Sequence, residues 1–109
     1  MGIDKTSRVL ETFRMVPDRL WLDPRLQAND VRLWCALTFA ARGRDHTDVT
    51  DRGLAAMMKW SPQTVRRPLL RLEECRFIER ARRGEARVIT LRPGGDGRAV
   101  PGLELRVIG

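Results

Sequence analysis

The chain has 109 residues, 42% of them apolar, and carries 21 Lys plus Arg against 14 Asp plus Glu, for a formal net charge of +7. That length is expected to make one domain with a modest core, not a large multidomain enzyme, and that apolar content argues against wholesale disorder. No window of about 18 residues is free of charge, and the stretch MGIDKTSRVLETFRM lacks the unbroken apolar run of a secretion signal, so the expectation is a soluble cytoplasmic protein without a membrane span.

Residues 1–12 read as a polar N-terminal extension. Val9 to Val16 alternates in part and suits either a strand or a short helix. Pro17 and Pro24 bracket Asp18–Asp23, read as an extended segment anchored by Leu20, Trp21 and Leu22. The first long helix is expected from about Ala28 to Arg42. Asn29 or Gln27 caps it, and Asp30 suits the positive end of its dipole. Val31, Trp34, Leu37, Thr38 and Ala41 form one stripe, which Leu33, Ala36 and Ala40 widen. Gly43 is the stop signal.

Thr47–Val49 reads as a short strand. Thr50 is then an N-cap for a second helix over about Asp51–Lys59, with Leu54, Ala55 and Met58 facing inward. Ser61-Pro62 is a strong start for a third helix running to about Cys75, since Ser caps and Pro at the first position gives up no needed N–H. Val65, Leu69 and Leu72 are its core stripe. Pro68 removes a hydrogen bond to Thr64 and is expected to kink or loosen that helix. Residues 77–81 and 86–91 read as two strands, with Arg82-Arg83-Gly84-Glu85 turning the chain between them. Arg92–Gly97 is a Gly-rich surface loop without the Lys-Ser or Lys-Thr of a phosphate-binding loop. Leu103–Ile108 alternates like a third strand or a tail with an edge for a partner.

Cys35 and Cys75 form no CxxC pair and fall in helical patterns, where Cys is usually a small buried hydrophobe. His46 is the only His and reads as a solvated loop residue. No metal site, cofactor site or catalytic set emerges, so no cofactor and no enzymatic activity are expected.

The charge is unevenly spread. Residues 61–92 hold nine Arg against four Glu, a net of +5, while residues 1–60 net +2 and residues 93–109 net zero. An arginine-rich genome would raise the total without concentrating it, so the placement points to a polyanionic partner.

The order helix, short strand, helix, tight turn, helix, hairpin is the plan of an α+β winged helix-turn-helix domain. The run Leu54-Ala55 followed by Ser61-Pro62-Gln63-Thr64-Val65-Arg66-Arg67 resembles the helix-turn-helix core of bacterial winged-helix regulators. Leu69-Leu70-Arg71-Leu72-Glu73 and Phe77-Ile78-Glu79-Arg80 resemble the helix end and first wing strand of that family. Val16-Pro17-Asp18-Arg19-Leu20-Trp21 and Leu26 are similar to the entry segment of plasmid and phage replication-initiator winged helices; GntR-type repressors share the core but less of this entry. The resemblance covers about residues 13–92 and implies a three-helix core, a C-terminal β-hairpin wing and an added N-terminal segment, with residues 93–109 as loop and tail. It departs from the family at Lys59 and Arg76, where Gly often stands. A Lys in the turn needs an unusual backbone angle, and an Arg in place of the helix-ending Gly puts a left-handed cap in doubt.

With Val65, Leu69 and Leu72 inward, the third helix presents Gln63, Arg66 and Arg67 outward. Arg can pair with guanine and Gln with adenine in a major groove. Thr50, Ser61, Thr64 and the helix N-terminal N–H groups suit phosphate contact. Arg71 lies one turn on and is expected at the backbone, while Arg82, Arg83 and Arg87 are expected on the wing at a minor groove or phosphates. For each arginine the alternative is an ordinary solvated charge. Leu70 sits where a polar group is expected and either makes an ordinary tertiary contact or supports a partner. The leading expectation is a sequence-specific double-stranded DNA-binding protein, as a homodimer or side-by-side array, acting as a small repressor or a mobile-element replication or partition factor. The competing one is a protein-interaction module using Leu70 or residues 103–108.

Overall fold

The computed structural model describes residues 16–98. The expectations for the N-terminal extension, for Val9–Met15 and for the strand Leu103–Ile108 lie outside the described residues. Pro17, with φ −58°, starts a single helical turn, α1, over Asp18–Trp21. Its carbonyl accepts from the backbone N–H groups of Leu20 at 2.9 Å and Trp21 at 3.2 Å. This corrects the extended reading of Asp18–Asp23. Proline restricts the residue before it, so Pro24 constrains only Asp23, whereas Pro17 is preset to begin a helix. Leu20 is buried as expected, but Trp21 is half exposed.

Helix α2 spans Ala28–Ala41. Gln27 is the extended N-cap, and its N–H donates to Asp30 Oδ2 at 2.8 Å. The helix stops when Arg42 and Gly43 turn left-handed, at φ 53° and 83°. Its fully packed face is Leu33, Trp34, Leu37 and Ala41, with Val31 and Thr38 only half-buried at its edges. Trp34 meets Phe77 edge to face, with ring centroids 6.4 Å apart. Cys75 is buried, as its pattern indicated, but Cys35 is only partly so.

Strand β1 is His46–Thr47, starting one residue before and ending two residues before the strand Thr47–Val49 expected. His46 therefore lies in a strand, its Nδ1 2.9 Å from Asp45 Oδ1. Thr47 is buried and its Oγ1 accepts from the Val49 N–H at 3.2 Å, which turns the chain toward the next helix.

Helix α3 covers Asp51–Met58 and helix α4 covers Pro62–Glu74. Both N-caps behave as their residue types require: Thr50 Oγ1 accepts from the Gly53 N–H at 3.0 Å, and Ser61 Oγ from the Thr64 N–H at 3.3 Å. Each helix ends in a left-handed residue, Lys59 at φ 59° and Arg76 at φ 62°. The following amides close the motif, with Trp60 N–H donating to the Ala55 carbonyl at 2.9 Å and Phe77 N–H to the Leu72 carbonyl at 2.8 Å. The two departures from the glycine pattern thus leave the turns intact. Helix α4 is not broken at Pro68, whose ring is buried on the same face as Val65, Leu69 and Leu72.

Strands β2, Ile78–Arg83, and β3, Ala86–Leu91, pair antiparallel from Ile78↔Leu91 to Arg83↔Ala86. Pairing continues two residues past the expected end of the first strand, so the turn contracts to Gly84-Glu85, with Gly84 at φ 63°. β1 pairs with the other edge of β3, giving a three-stranded antiparallel sheet in the order β1-β3-β2. The described residues form a small α+β domain with four helices and this sheet. No helix of the described residues is long and apolar enough to cross a membrane.

An arginine ion pair between distant segments helps close the domain. Arg25 donates to Asp23 at 2.6 Å and to Asp96 at 2.8 Å, tying the segment before α2 to the loop after β3. Its guanidinium, with the Arg98 backbone N–H, holds the Asp96 carboxyl down to about 2. In the same loop, Gly95 at φ 58° lies under Phe77, where a Cβ would come within 2.8 Å of the ring.

Candidate nucleic-acid interface

The nine arginines of residues 61–92 divide by whether a carboxylate holds them. Four are held: Arg71 by Asp30 at 2.8 Å, Arg80 by Glu73 at 2.6 Å, Arg87 by Asp51 at 2.6 Å and Arg92 by Glu79 at 2.9 Å. Arg66, Arg67, Arg76, Arg82 and Arg83 are exposed, and none of them has a carboxylate partner among the described residues.

Arg66 and Arg67 lie on the second turn of α4, on the side away from Val65 and Leu69. Gln63 is exposed in the turn before. Sequence reasoning grouped these three, and the fold places them together at the N-terminal half of one exposed helical face. Ser61 and Thr64 stand at the same end, their hydroxyls 2.8 Å apart. The Ser61 hydroxyl thus caps α4, as that of Thr50 caps α3, and the Thr64 hydroxyl is bonded to Ser61; each retains lone pairs or a proton for a further partner.

Arg71, one turn beyond Arg67, is held differently. Its Nε reaches Asp30 Oδ2, and the Asp30 side chain is fully buried while that of Arg71 is 23% exposed. Arg71, expected at the DNA backbone, reaches across to α2 and is ion-paired there, unlike Arg66 and Arg67. Asp30 does double duty, since the same oxygen accepts from Gln27 N–H at the start of α2. Leu70, by contrast, is 47% exposed.

The hairpin arginines also separate. Residues of a strand alternate in face, so Arg80 and Arg82 share the face of buried Ile78, and Arg83 points to the other. Arg87 stands directly opposite Arg82 and turns to the helices, donating to Asp51 and, at 2.7 Å, to the Val49 carbonyl. Arg80 reaches Glu73 on α4, and that hydrogen bond holds the Glu73 carboxyl below the usual carboxylate range. These two ion pairs brace the hairpin against both α3 and α4. Arg82 makes only a long contact, 3.4 Å, to the Glu85 carbonyl. Of the expected hairpin contacts, Arg82 and Arg83 remain available, on opposite faces, and Arg87 is a brace.

Sequence reasoning missed Arg80 as a brace and Arg52 as an exposed cation beside the N-terminus of α3. Arg80 was legible in part, because alternation places it on the buried face of Ile78, where a charge needs a partner.

No protein family matches the chain, and no curated protein is similar to it in sequence.

Proposed function

We propose that the chain is a winged helix-turn-helix protein that binds double-stranded DNA in a sequence-specific manner. In this reading α4 enters the major groove, and the β2–β3 hairpin is the wing on the backbone or minor groove. The observation that carries it is the pair Arg66 and Arg67, exposed on the first half of a Ser-capped helix and without carboxylate partners among the described residues, while four neighbouring arginines are neutralised. A guanidinium left unpaired beside a helix N-terminus is suited to guanine edges and phosphates, and Gln63 to adenine. Arg82 and Arg83 reach phosphates from either side of the wing. The biological role is that of a small repressor or a mobile-element replication or partition factor, with two copies or a side-by-side array on the site.

The test is selection of bound sequences from a random duplex pool, followed by affinity against salt. With about four phosphates neutralised, log K falls with log salt at a slope of about −3 to −4. Arg67→Ala relaxes base preference at one position at a cost of about 1–3 kcal/mol, whereas Arg83→Ala weakens all sequences alike. No binding at low salt, or wild-type behaviour of both variants, refutes the proposal. The exposed Leu70 in mid-α4 favours one other reading, a protein-interaction module, and the absence of any duplex binding would select it.

A further inference from the structure

A second surface, formed by α2 and α3 with no residue of α4 or the hairpin, is built differently. A groove of about 440 Å³ runs between the two helices, lined by Arg32, Cys35, Ala36, Phe39, Met57 and Met58. Phe39 is 56% and Met57 40% exposed, the two largest apolar side chains standing out from these helices. Arg32, Cys35, Phe39 and Arg42 follow one another at i, i+3, i+7 and i+10, which lays them along one stripe of α2 and its cap. The stripe is apolar in the middle and cationic at both ends, with about 15 Å between the two arginine positions. Arg32 stacks 5.8 Å from the Trp60 ring centroid, and neither it nor Arg42 has a carboxylate partner among the described residues. The only acid in α2 is Asp30, and it is fully buried under Arg71. Solvent therefore sees a helix face with two positive ends and no negative charge.

We infer that the α2–α3 groove docks an amphipathic helix of a partner protein whose apolar anchors are flanked by carboxylates, one near Arg32 and one near Arg42. A helix in a groove presents anchors at i, i+3 or i+4, and i+7, and flexible Met57 and Met58 can repack around them. Carboxylates about ten residues apart on that helix span the same length as the two arginines. A second copy of this chain is a poor occupant by the same charges. Pairing two α2 faces about a two-fold axis sets Arg32 and Arg42 of one copy against arginines of the other. The inference does not depend on DNA binding, since the groove and Arg66–Arg67 lie on different elements.

The experiment uses the full chain and two labelled helical peptides, each with Leu anchors at i, i+3 and i+7. One carries Glu at both flanks and the other Lys. Fluorescence anisotropy is expected to show the Glu peptide binding at least tenfold more tightly than the Lys peptide. Met57→Glu weakens the Glu peptide at least tenfold, and Arg32→Glu with Arg42→Glu reverses the preference between the two peptides. Circular dichroism confirms that these exposed substitutions fold. Equal binding of both peptides, no binding of either, or failure of the double variant to switch preference overturns the inference. So does sedimentation showing a dimer that Met57→Glu dissociates, which assigns the groove to a second copy.

Discussion

Replacing Arg71 with Met tests whether this arginine serves the fold or the DNA surface. Its Nε bonds to the fully buried Asp30 carboxylate across 41 residues of sequence. Removing the guanidinium leaves that charge with one remaining donor, the Gln27 N–H, because Asp30 Oδ1 has no hydrogen-bond partner among the described residues. Breaking a buried pair from one side costs about 3–5 kcal/mol, and the 23% exposure of Arg71 places this case near about 3 kcal/mol. With a urea m-value of about 1.5 kcal/mol/M, the denaturation midpoint falls by about 2 M. Adding Asp30→Leu removes the stranded charge and leaves chiefly the lost cap, about 1 kcal/mol, so the double variant recovers about 2 kcal/mol over the single one. Chemical denaturation followed by circular dichroism reads all three proteins. On the proposed DNA-binding function, the folded Arg71→Met protein is expected to keep the wild-type salt slope. A midpoint shift below about 0.5 M, or a double variant less stable than the single one, refutes the assignment of Arg71 as a buried brace.

Arg76→Gly is expected to stabilise the protein by about 1 kcal/mol, because a left-handed backbone at φ 62° costs a side-chain-bearing residue about 1–2 kcal/mol and glycine little; a lower melting temperature contradicts this. Acid should unfasten the Arg25 latch. The Asp96 carboxyl is depressed to about 2 from about 3.9 in the unfolded chain, so its contribution is complete above about pH 4 and lost as pH falls through about 2. Asp23 and Glu73, also lowered by their arginine partners, act in the same direction. Asp96→Asn should flatten part of the loss in urea midpoint between about pH 4 and 2, and an unchanged acid profile would show that the latch does not contribute.

Helices α2, α3 and α4 were legible because their signals are local. Thr50, Ser61 and Pro62 act within one turn, and the buried stripes repeat every three or four residues. The exposed group Gln63, Arg66 and Arg67 followed from the same periodicity once Val65 and Leu69 were placed inward. Pro17 was misread for want of weight on its own φ, and β2 for want of its partner's register. The fate of Arg71 and Arg87 could not be read locally at all. Each is neutralised by a carboxylate 41 or 36 positions away, on a helix whose own pattern gives no sign of the contact.

By itself, then, the sequence determined the helices, the caps and the concentration of positive charge, since these depend on neighbours within about four residues. Which of those charges face solvent was decided by the tertiary structure alone. Burial makes an unpaired charge too costly to keep, so packing α4 on α2 and the hairpin on α3 fixed which arginines became braces and which stayed available.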